Sequence, residues 1–144
     1  MEALAKLLFL LWCVVLAASE SVDEPLLKIG FGSCHDQKVA DQPMWRLLSK
    51  RNLDLMVMLG DNVYADKPGP YRGRMPATKE ELYKSYDVLF SEPNFLHFLN
   101  TTPILATMDD HDYGINDGDH RWKYKADAQH LLISHFDQVS QPGS

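Results

Sequence analysis

Three polar turns of this 144-residue sequence contain side chains that can bind a metal ion or transfer a proton. Each turn follows a short apolar run, as expected where a buried strand ends at the edge of a sheet. The candidate side chains are Cys34 in the first turn, Asp61 and Tyr64 in the second, and His111 and Asn116 in the third. Because open α/β sheets bind their ligands at the carboxyl ends of the strands, we expect these side chains to meet at one edge.

The chemistry of these donors favours a metal ion and leaves its identity open. A thiolate and a phenolate, from Cys34 and Tyr64, suit iron, whereas the carboxylate of Asp61 and the amide of Asn116 suit Ca²⁺, Mg²⁺ or Mn²⁺. A single Asp can bridge two ions, and ions about 3.5–4 Å apart stabilise the attacking and leaving oxygens of a phosphoryl group. Each residue alone has a structural explanation as a helix cap, a turn former or a packed ring. Their shared position after apolar runs indicates a metal site.

His111 is the candidate for acid–base chemistry or substrate binding. It lies between Asp110 and Asp112, and we expect these carboxylates to support the charged form of its ring. Such a histidine can donate a proton or hold a phosphate oxygen.

The amino terminus has the features of a secretory signal peptide. Lys6 precedes the apolar run Leu7 to Leu16, and the small residues Ala17-Ala18-Ser19 follow at the distance of a cleavage site. We therefore expect residues 1–19 to be removed and the chain to be secreted, the alternative being an uncleaved anchor. The run is shorter than the roughly 20 apolar residues of a spanning helix, so stable membrane insertion is not expected. Secretion would expose the sequon at Asn100 to N-glycosylation.

Cleavage would also leave Cys34 without a second cysteine in the chain, because Cys13 lies in the removed segment. An intramolecular disulfide is then excluded, and the thiol could form an intermolecular bridge, be inert and buried, or ligate a metal. Its place after a strand and before His35 and Asp36 favours ligation.

The charge of the chain limits its partners. The formal net charge is −6, whereas nucleic acid is bound by clustered Lys and Arg, so no nucleic acid partner is expected. The densest basic stretch contains Lys67, Arg72, Arg74 and Lys79. We interpret it as a solvated loop, the alternative being a contact with a small anionic substrate near Asp61.

Elsewhere the sequence predicts the strands and helices that must position the site. Apolar runs predict strands at residues 27–32, 55–59 and 104–108. Start signals predict helices that begin near Pro43, Thr78, Pro93 and Trp122. Because a helix joins the first two strands within about 30 residues, they are expected to pair in parallel as a βαβ unit.

Local patterns add detail to these elements. Thr78 and Glu81 have the spacing of a capping box. The apolar positions of the last three helices are Leu82, Tyr86, Leu89 and Phe90; then Phe95, Leu96, Phe98 and Leu99; then Ala126, Leu131, Leu132 and Phe136. The stretch Lys67 to Ala77 is rich in Pro and Gly and is expected to lack regular structure. Residues 139–144 are expected to form a frayed tail.

The motifs Phe31-Gly32-Ser33-Cys34, Gly60 to Asp66 and Asp109 to Gly114, in this order and spacing, resemble the alkaline phosphatase D (PhoD-like) family of metallophosphatases. The resemblance extends from Lys28 to Asp137. It implies a calcineurin-like α/β sandwich of two mixed sheets that hydrolyses phosphate mono- or diesters with Fe³⁺ and Ca²⁺.

Carried over to this sequence, the resemblance assigns Cys34 and Tyr64 to the iron, Asp61 to a position between the metals, and Asn116 to the calcium side. His111 would lie near the phosphate of a small ester substrate. The family has further Asp and His ligands in late loops of a second half. The resemblance therefore implies that residues 20–138 are the amino-terminal part of the domain, truncated and weakly active or inactive alone.

Without the second half, the fold would leave a sheet face uncovered, through which the chain could self-associate. An alternative function is a non-catalytic secreted fragment that binds a metal or a protein partner. Another is a thiol hydrolase that uses Cys34 with His35 or His111, although no oxyanion-hole signature accompanies these residues.

Overall fold

The computed structural model describes residues 28–71 and 74–137, which form a mixed α/β fold. The elements are β1 (Ile29–Gly32), α1 (Pro43–Ser49), β2 (Leu55–Met58), β3 (Lys67–Tyr71), β4 (Arg74–Met75), α2 (Lys79–Leu89), α3 (Pro93–Leu99), β5 (Ile104–Ala106), α4 (Asp110–Tyr113) and α5 (Lys125–Phe136). The predicted signal peptide and tail lie outside the described residues. Among the described residues, no helix has the length and apolar character needed to cross a membrane.

Strands β1, β2 and β5 form a parallel sheet in the order β1-β2-β5. The helix α1 joins β1 to β2, so the predicted parallel βαβ unit is confirmed. Gly32 at the end of β1 and Ala106 at the end of β5 both pair with Met58 at the end of β2. This register makes the three polar turns begin side by side at one edge of the sheet.

One face of this sheet packs against α1 and α3. Trp45 of α1 lies between two rings of α3, with ring centroids 4.7 Å from Phe95 and 5.4 Å from Phe98. All three rings are almost fully buried, together with Met56 and Met58 of β2. Burying an aromatic side chain of this kind contributes roughly 1.5–3 kcal/mol, so this cluster supports the edge that carries the turns.

Helices α2 and α5 form the second part of the core. The capping box is confirmed: the Thr78 hydroxyl accepts from the Glu81 amide, and the Thr78 amide donates to the Glu81 carboxylate. Of the predicted stripe of α2, Leu82, Tyr86 and Leu89 are buried and Phe90 is partly buried. Leu131 and Phe136 of α5 are buried as well. Two predicted core positions are wrong, because Leu96 of α3 is exposed and, in α5, Ala126 is exposed while Ala128 is buried.

The stretch Lys67 to Ala77 is not irregular, as the sequence predicted, but contains the antiparallel strands β3 and β4. Pro68 and Pro70 are tolerated because each strand of a two-stranded ribbon has only one partner, and a register shift follows Pro68. Gly69 is needed here, since a β-carbon at this position would clash with Met75.

The other face of the parallel sheet is apolar and largely uncovered by the described residues. Ile29 is 50% exposed, Phe31 is 75% exposed and Leu105 is 54% exposed. Leu55 and Val57 lie in register beside them on the central strand. Parallel sheets are normally covered on both faces, so this face is unusual for a sheet of this kind.

Candidate metal centre

The turn after β2 brings Asp61 to the centre of the candidate site. Gly60 and Asp61 both adopt left-handed backbone conformations, with φ of 101° and 52°. For a residue with a side chain, such a conformation is uncommon and can cost of the order of 1–3 kcal/mol. A β-carbon on Gly60 would lie 2.6 Å from that of Asp109, so only glycine lets the second and third turns approach this closely.

The Asp61 carboxylate is contacted from all three turns. Its Oδ2 accepts from the Tyr64 hydroxyl at 2.8 Å and lies 3.6 Å from the Cys34 thiol. Its Oδ1 accepts from the backbone amide of His111 at 3.3 Å. Four of the five predicted candidates therefore lie together at this edge, His111 contacting Asp61 through its backbone amide.

Cys34 is held beside Asp61 by the backbone. Its φ is 59°, its amide donates to the Gly60 carbonyl, and the following His35 amide donates to the Asp61 carbonyl. The thiol is exposed, so inert burial is not the explanation for this cysteine. Within the described ranges, neither candidate histidine of a thiol hydrolase is hydrogen-bonded to it. The ring of His35 contacts Asn62, Gln42 and Trp45 instead, and the thiol's partners include Ser33, Asp61 and Tyr64.

Asp110, which the sequence analysis did not assign as a ligand, belongs to the same cluster. Asp61, Asp110 and His111 each offer one ligand atom, and these atoms lie within 4.8 Å of one another. Asp110 could have been found from its position, since it follows β5 within the same acidic turn as His111. Carboxylates with an imidazole are a donor set that suits a divalent or trivalent cation.

Asn116 lies in the loop near Asp110, but its side chain is not among the atoms of the candidate metal cluster. Its side-chain amide donates to Asp117 at 2.9 Å, and the Asp117 backbone amide donates to the Asp110 carboxylate. Its assignment as a ligand stays a prediction.

The support of His111 differs from the prediction. The ring nitrogen Nδ1 lies 3.0 Å from Asp66 Oδ2, and the ring stacks against Tyr64 with centroids 4.2 Å apart. Asp110 bonds the backbone amide of His111 instead of its ring. Asp112 instead accepts from N–H groups of Asn62 and Val63 in the second turn and from the Asp109 amide of its own turn. Successive side chains of a helix point about 100° apart, so the two sequence neighbours of His111 face away from its ring.

These observations stand beside a match between residues 29–135 and the family of PhoD-like phosphatases. The chain belongs to this family. No curated protein and no solved structure gives a match.

The side chains of this PhoD-like chain fit a metal ion. Thiol, phenol, carboxylate and imidazole donors meet at one sheet edge, from Cys34, Asp61, Tyr64, Asp110 and His111. The ligand atoms of Asp61, Asp110 and His111 lie close enough to share an ion. The metal dependence general in the family agrees with this donor set.

Tyr64 is a neutral phenol in this arrangement. Partial burial, followed by its hydrogen bonds to Asp61 and Cys34, raises the pKa of its hydroxyl above the usual value. The phenol therefore donates to Asp61. A cation at Asp61 would favour the phenolate, because a nearby positive charge stabilises the ionised form.

Asp112 has a structural role in the PhoD-like centre. Its side chain is fully buried and accepts from the backbone amides of Asn62, Val63 and Asp109 and from the Asn62 side chain. Burial raises the pKa of Asp112 to about 6, although the hydrogen bonds from these donors favour the carboxylate and act in the opposite direction. Asp112 thereby ties the second turn to the third.

The described part of the basic stretch is not a loop, although the Lys67 and Lys79 side chains are half exposed to solvent. Arg74 forms a two-pronged ion pair with the buried Asp66, while Lys67 pairs with Glu81 and Lys79 pairs with Asp127. The prediction of a loop did not take into account the acidic partners Asp66, Glu81 and Asp127, which lie outside the stretch.

A cavity of about 280 Å³ adjoins Cys34. Its lining includes Cys34, His35 and the exposed apolar residues Val39 and Met44. His35 is fixed there, since its Nε2 lies 2.8 Å from the Gln42 amide oxygen and 3.2 Å from the indole nitrogen of Trp45.

Proposed function

We propose that this chain provides part of a metallophosphatase site that hydrolyses phosphate mono- or diesters. The observation that carries the proposal is the meeting of Asp61, Asp110 and His111 at one sheet edge in a member of the PhoD-like phosphatase family. Cys34 and Tyr64, both against Asp61, extend the donor set.

In this proposal the donors divide by chemical type. Cys34 and Tyr64 would hold Fe³⁺, Asp61 would be shared by the two metals, and Asn116 with Asp110 would hold Ca²⁺. When bound, the ions supply Lewis-acid stabilisation of phosphate oxygens and a water of lowered pKa.

His111 and the neighbouring cavity act on the substrate. His111 holds a phosphate oxygen or donates a proton to the leaving group. The cavity beside Cys34 gives room for the organic part of a small phosphate ester, because its exposed Val39 and Met44 walls are apolar.

We propose further that residues 20–138 are the amino-terminal part of a calcineurin-like sandwich. The exposed apolar face around Phe31 supports this, since a second layer would cover it. A two-metal centre needs more ligands than the donors described here, so we expect weak activity or none from these residues alone. In that state the uncovered face would favour self-association.

Secretion and glycosylation of the chain are also proposals. Cleavage after residues 1–19 would secrete the protein, and Asn100 is accessible to glycosylation, since it is exposed at the end of α3. The alternative function is a non-catalytic secreted fragment that binds a metal or a protein partner, favoured by the exposed sheet face.

The experiment that separates these functions measures metal binding and hydrolysis together. The full chain is loaded with Fe³⁺ and Ca²⁺ and assayed with p-nitrophenyl phosphate and bis(p-nitrophenyl) phosphate, beside Asp61→Asn and the surface control Asp87→Asn. The proposal expects at most weak turnover, and any turnover should depend on metal and be removed by Asp61→Asn but not by Asp87→Asn. Metal-dependent turnover would favour the phosphatase function over the non-catalytic alternative, and turnover that Asp61→Asn does not remove would contradict the proposed site.

A further inference from the structure

We propose that Asp66 and Arg74 are positioning residues that fix the tautomer and the orientation of the His111 ring. The inference rests on the proposed function and names the residues that orient the His111 ring toward a phosphate or a metal. Its core claim concerns the ring itself and can be tested without turnover.

Asp66 is a fully buried carboxylate with donors on both oxygens. Arg74 Nη2 donates to Oδ1 at 2.6 Å and Arg74 Nε to Oδ2 at 2.9 Å, and His111 Nδ1 lies 3.0 Å from Oδ2. The same Arg74 Nη2 also donates to the Asp66 carbonyl at 2.9 Å. Burying a carboxylate is unfavourable unless it is paired and hydrogen-bonded, and here the guanidinium meets both requirements.

The ion pair determines what Asp66 can offer the imidazole. An ionised carboxylate only accepts hydrogen bonds, so the proton on the His111 ring must be on Nδ1 when the ring is neutral. Nε2 then carries the free lone pair, which can bind a cation or accept a proton. Within the described ranges Nε2 forms no hydrogen bond, and His111 offers a ring nitrogen to the cluster of Asp61 and Asp110.

Stacked rings complete the orientation. His111 lies against Tyr64 with centroids 4.2 Å apart, and the Arg74 guanidinium lies 5.7 Å from the centroid of the same Tyr64 ring. Arg74 thus touches both supports of the histidine, the carboxylate on its Nδ1 side and the tyrosine on its face. Arg74 belongs to β4, so the β3–β4 hairpin is part of the site's support.

The direct test is a ¹⁵N NMR spectrum of the histidine rings in the full chain, recorded without added iron. His111 is assigned by its loss in His111→Gln. We expect the wild-type ring to be the tautomer protonated on Nδ1. Asp66→Asn should reverse it, because Arg74 will hold the amide oxygen and the amide N–H₂ will face Nδ1 as a donor, which moves the ring proton to Nε2.

The matched control is Asp119→Asn, which alters an exposed ion pair with Arg121 and should leave the His111 signals unchanged. A wild-type ring protonated on Nε2 would overturn the inference even if Asp66→Asn does not fold. An unchanged tautomer in a folded Asp66→Asn protein would overturn it too.

Measurements of hydrolysis and metal content then distinguish failure of the positioning role from failure of the proposed function. In an active preparation, Asp66→Asn should lower metal affinity or kcat by about 10–100-fold, as loss of a histidine's outer partner does. Arg74→Lys keeps the charge without the two-pronged geometry. It should show a smaller decrease than Asp66→Asn and keep the wild-type tautomer. A wild-type tautomer as proposed, in a chain that binds no metal and hydrolyses no ester, would refute the proposed function and leave the positioning role standing.

Discussion

Gly60 approaches Asp109 so closely that a β-carbon on Gly60 would lie 2.6 Å from the Asp109 β-carbon and 2.9 Å from its backbone nitrogen. The approach joins the turn after β2 to the turn after β5. These two turns carry Asp61, Asp110 and His111, so the packing of one glycine sets the distance between the candidate ligands.

Replacing this glycine should therefore damage both stability and metal binding. We expect Gly60→Ala to lower the free energy of unfolding by about 2 kcal/mol or more, because the new methyl group clashes and the left-handed backbone is strained. Urea unfolding measures the loss. Gly32→Ala is the matched control, since a β-carbon there would meet only Met56 at an ordinary 3.6 Å. Equal stability of the two variants would contradict the account of Gly60.

Asp112 should be needed for the fold rather than for chemistry. Asp112→Ala leaves the buried amides of Asn62, Val63 and Asp109 without their acceptor, and each unsatisfied group costs about 1–3 kcal/mol. We expect a total loss of at least about 2 kcal/mol of unfolding free energy, measured by chemical denaturation. The exposed Asp87→Ala should be nearly neutral. A stable Asp112→Ala protein that has lost only metal binding would show a ligand role instead.

The ion pair of Asp66 and Arg74 should make the metal-free fold sensitive to acid. Burial opposes the ionisation of Asp66, but the hydrogen bonds and charges of Arg74 and His111 outweigh it and lower the pKa of Asp66. Below the pKa of an unfolded Asp, about 4, the unfolded chain then binds more protons than the folded one, so stability falls as the pH falls.

The variant Arg74→Gln tests this acid dependence. It removes the main group that lowers the pKa, so its deficit in unfolding free energy relative to wild type should be large near pH 6 and smaller near pH 3. Chemical denaturation at the two pH values gives the comparison. A deficit that is the same at both values would mean that Asp66 does not titrate with folding.

The uncovered sheet face should make the isolated chain associate. Phe31 on the edge strand β1 is 75% exposed and is the most exposed side chain of this apolar face, so Phe31→Ser should reduce dye binding and shift the protein toward the monomer in analytical ultracentrifugation. Val88→Ser on α2, a less exposed apolar position away from the sheet, serves as the control. A wild-type chain that is monomeric and binds no dye would contradict the expectation of self-association.

Much of the site could be predicted because strand ends fix it. The apolar runs identified β1, β2 and β5, and parallel pairing then required Cys34, Asp61 and His111 to meet at one edge. Parallel register depends on short-range pattern and connection length, both of which are visible in sequence.

The parts that could not be predicted depend on contacts that the local sequence pattern does not show. Asp66 supports His111 across 45 positions, whereas the sequence favoured the adjacent carboxylates. Arg74 reaches Asp66 from β4, in a hairpin that the sequence did not predict. The β3–β4 hairpin was missed because Pro and Gly predict irregular backbone, while the ribbon accommodates them through one-sided pairing and a register shift.

The central claim is that Asp61 is the shared carboxylate of a metal centre, and metal content measures it most directly. The full chain and its Asp61→Asn variant are incubated with Fe³⁺ and Ca²⁺, dialysed and analysed for bound metal per chain, with Asp87→Asn as the folded control. We expect metal on the wild type and on Asp87→Asn, and a loss of most of it in Asp61→Asn, because its neutral amide replaces the carboxylate that Cys34, Tyr64 and His111 surround. Undiminished metal on a folded Asp61→Asn protein would contradict the claim.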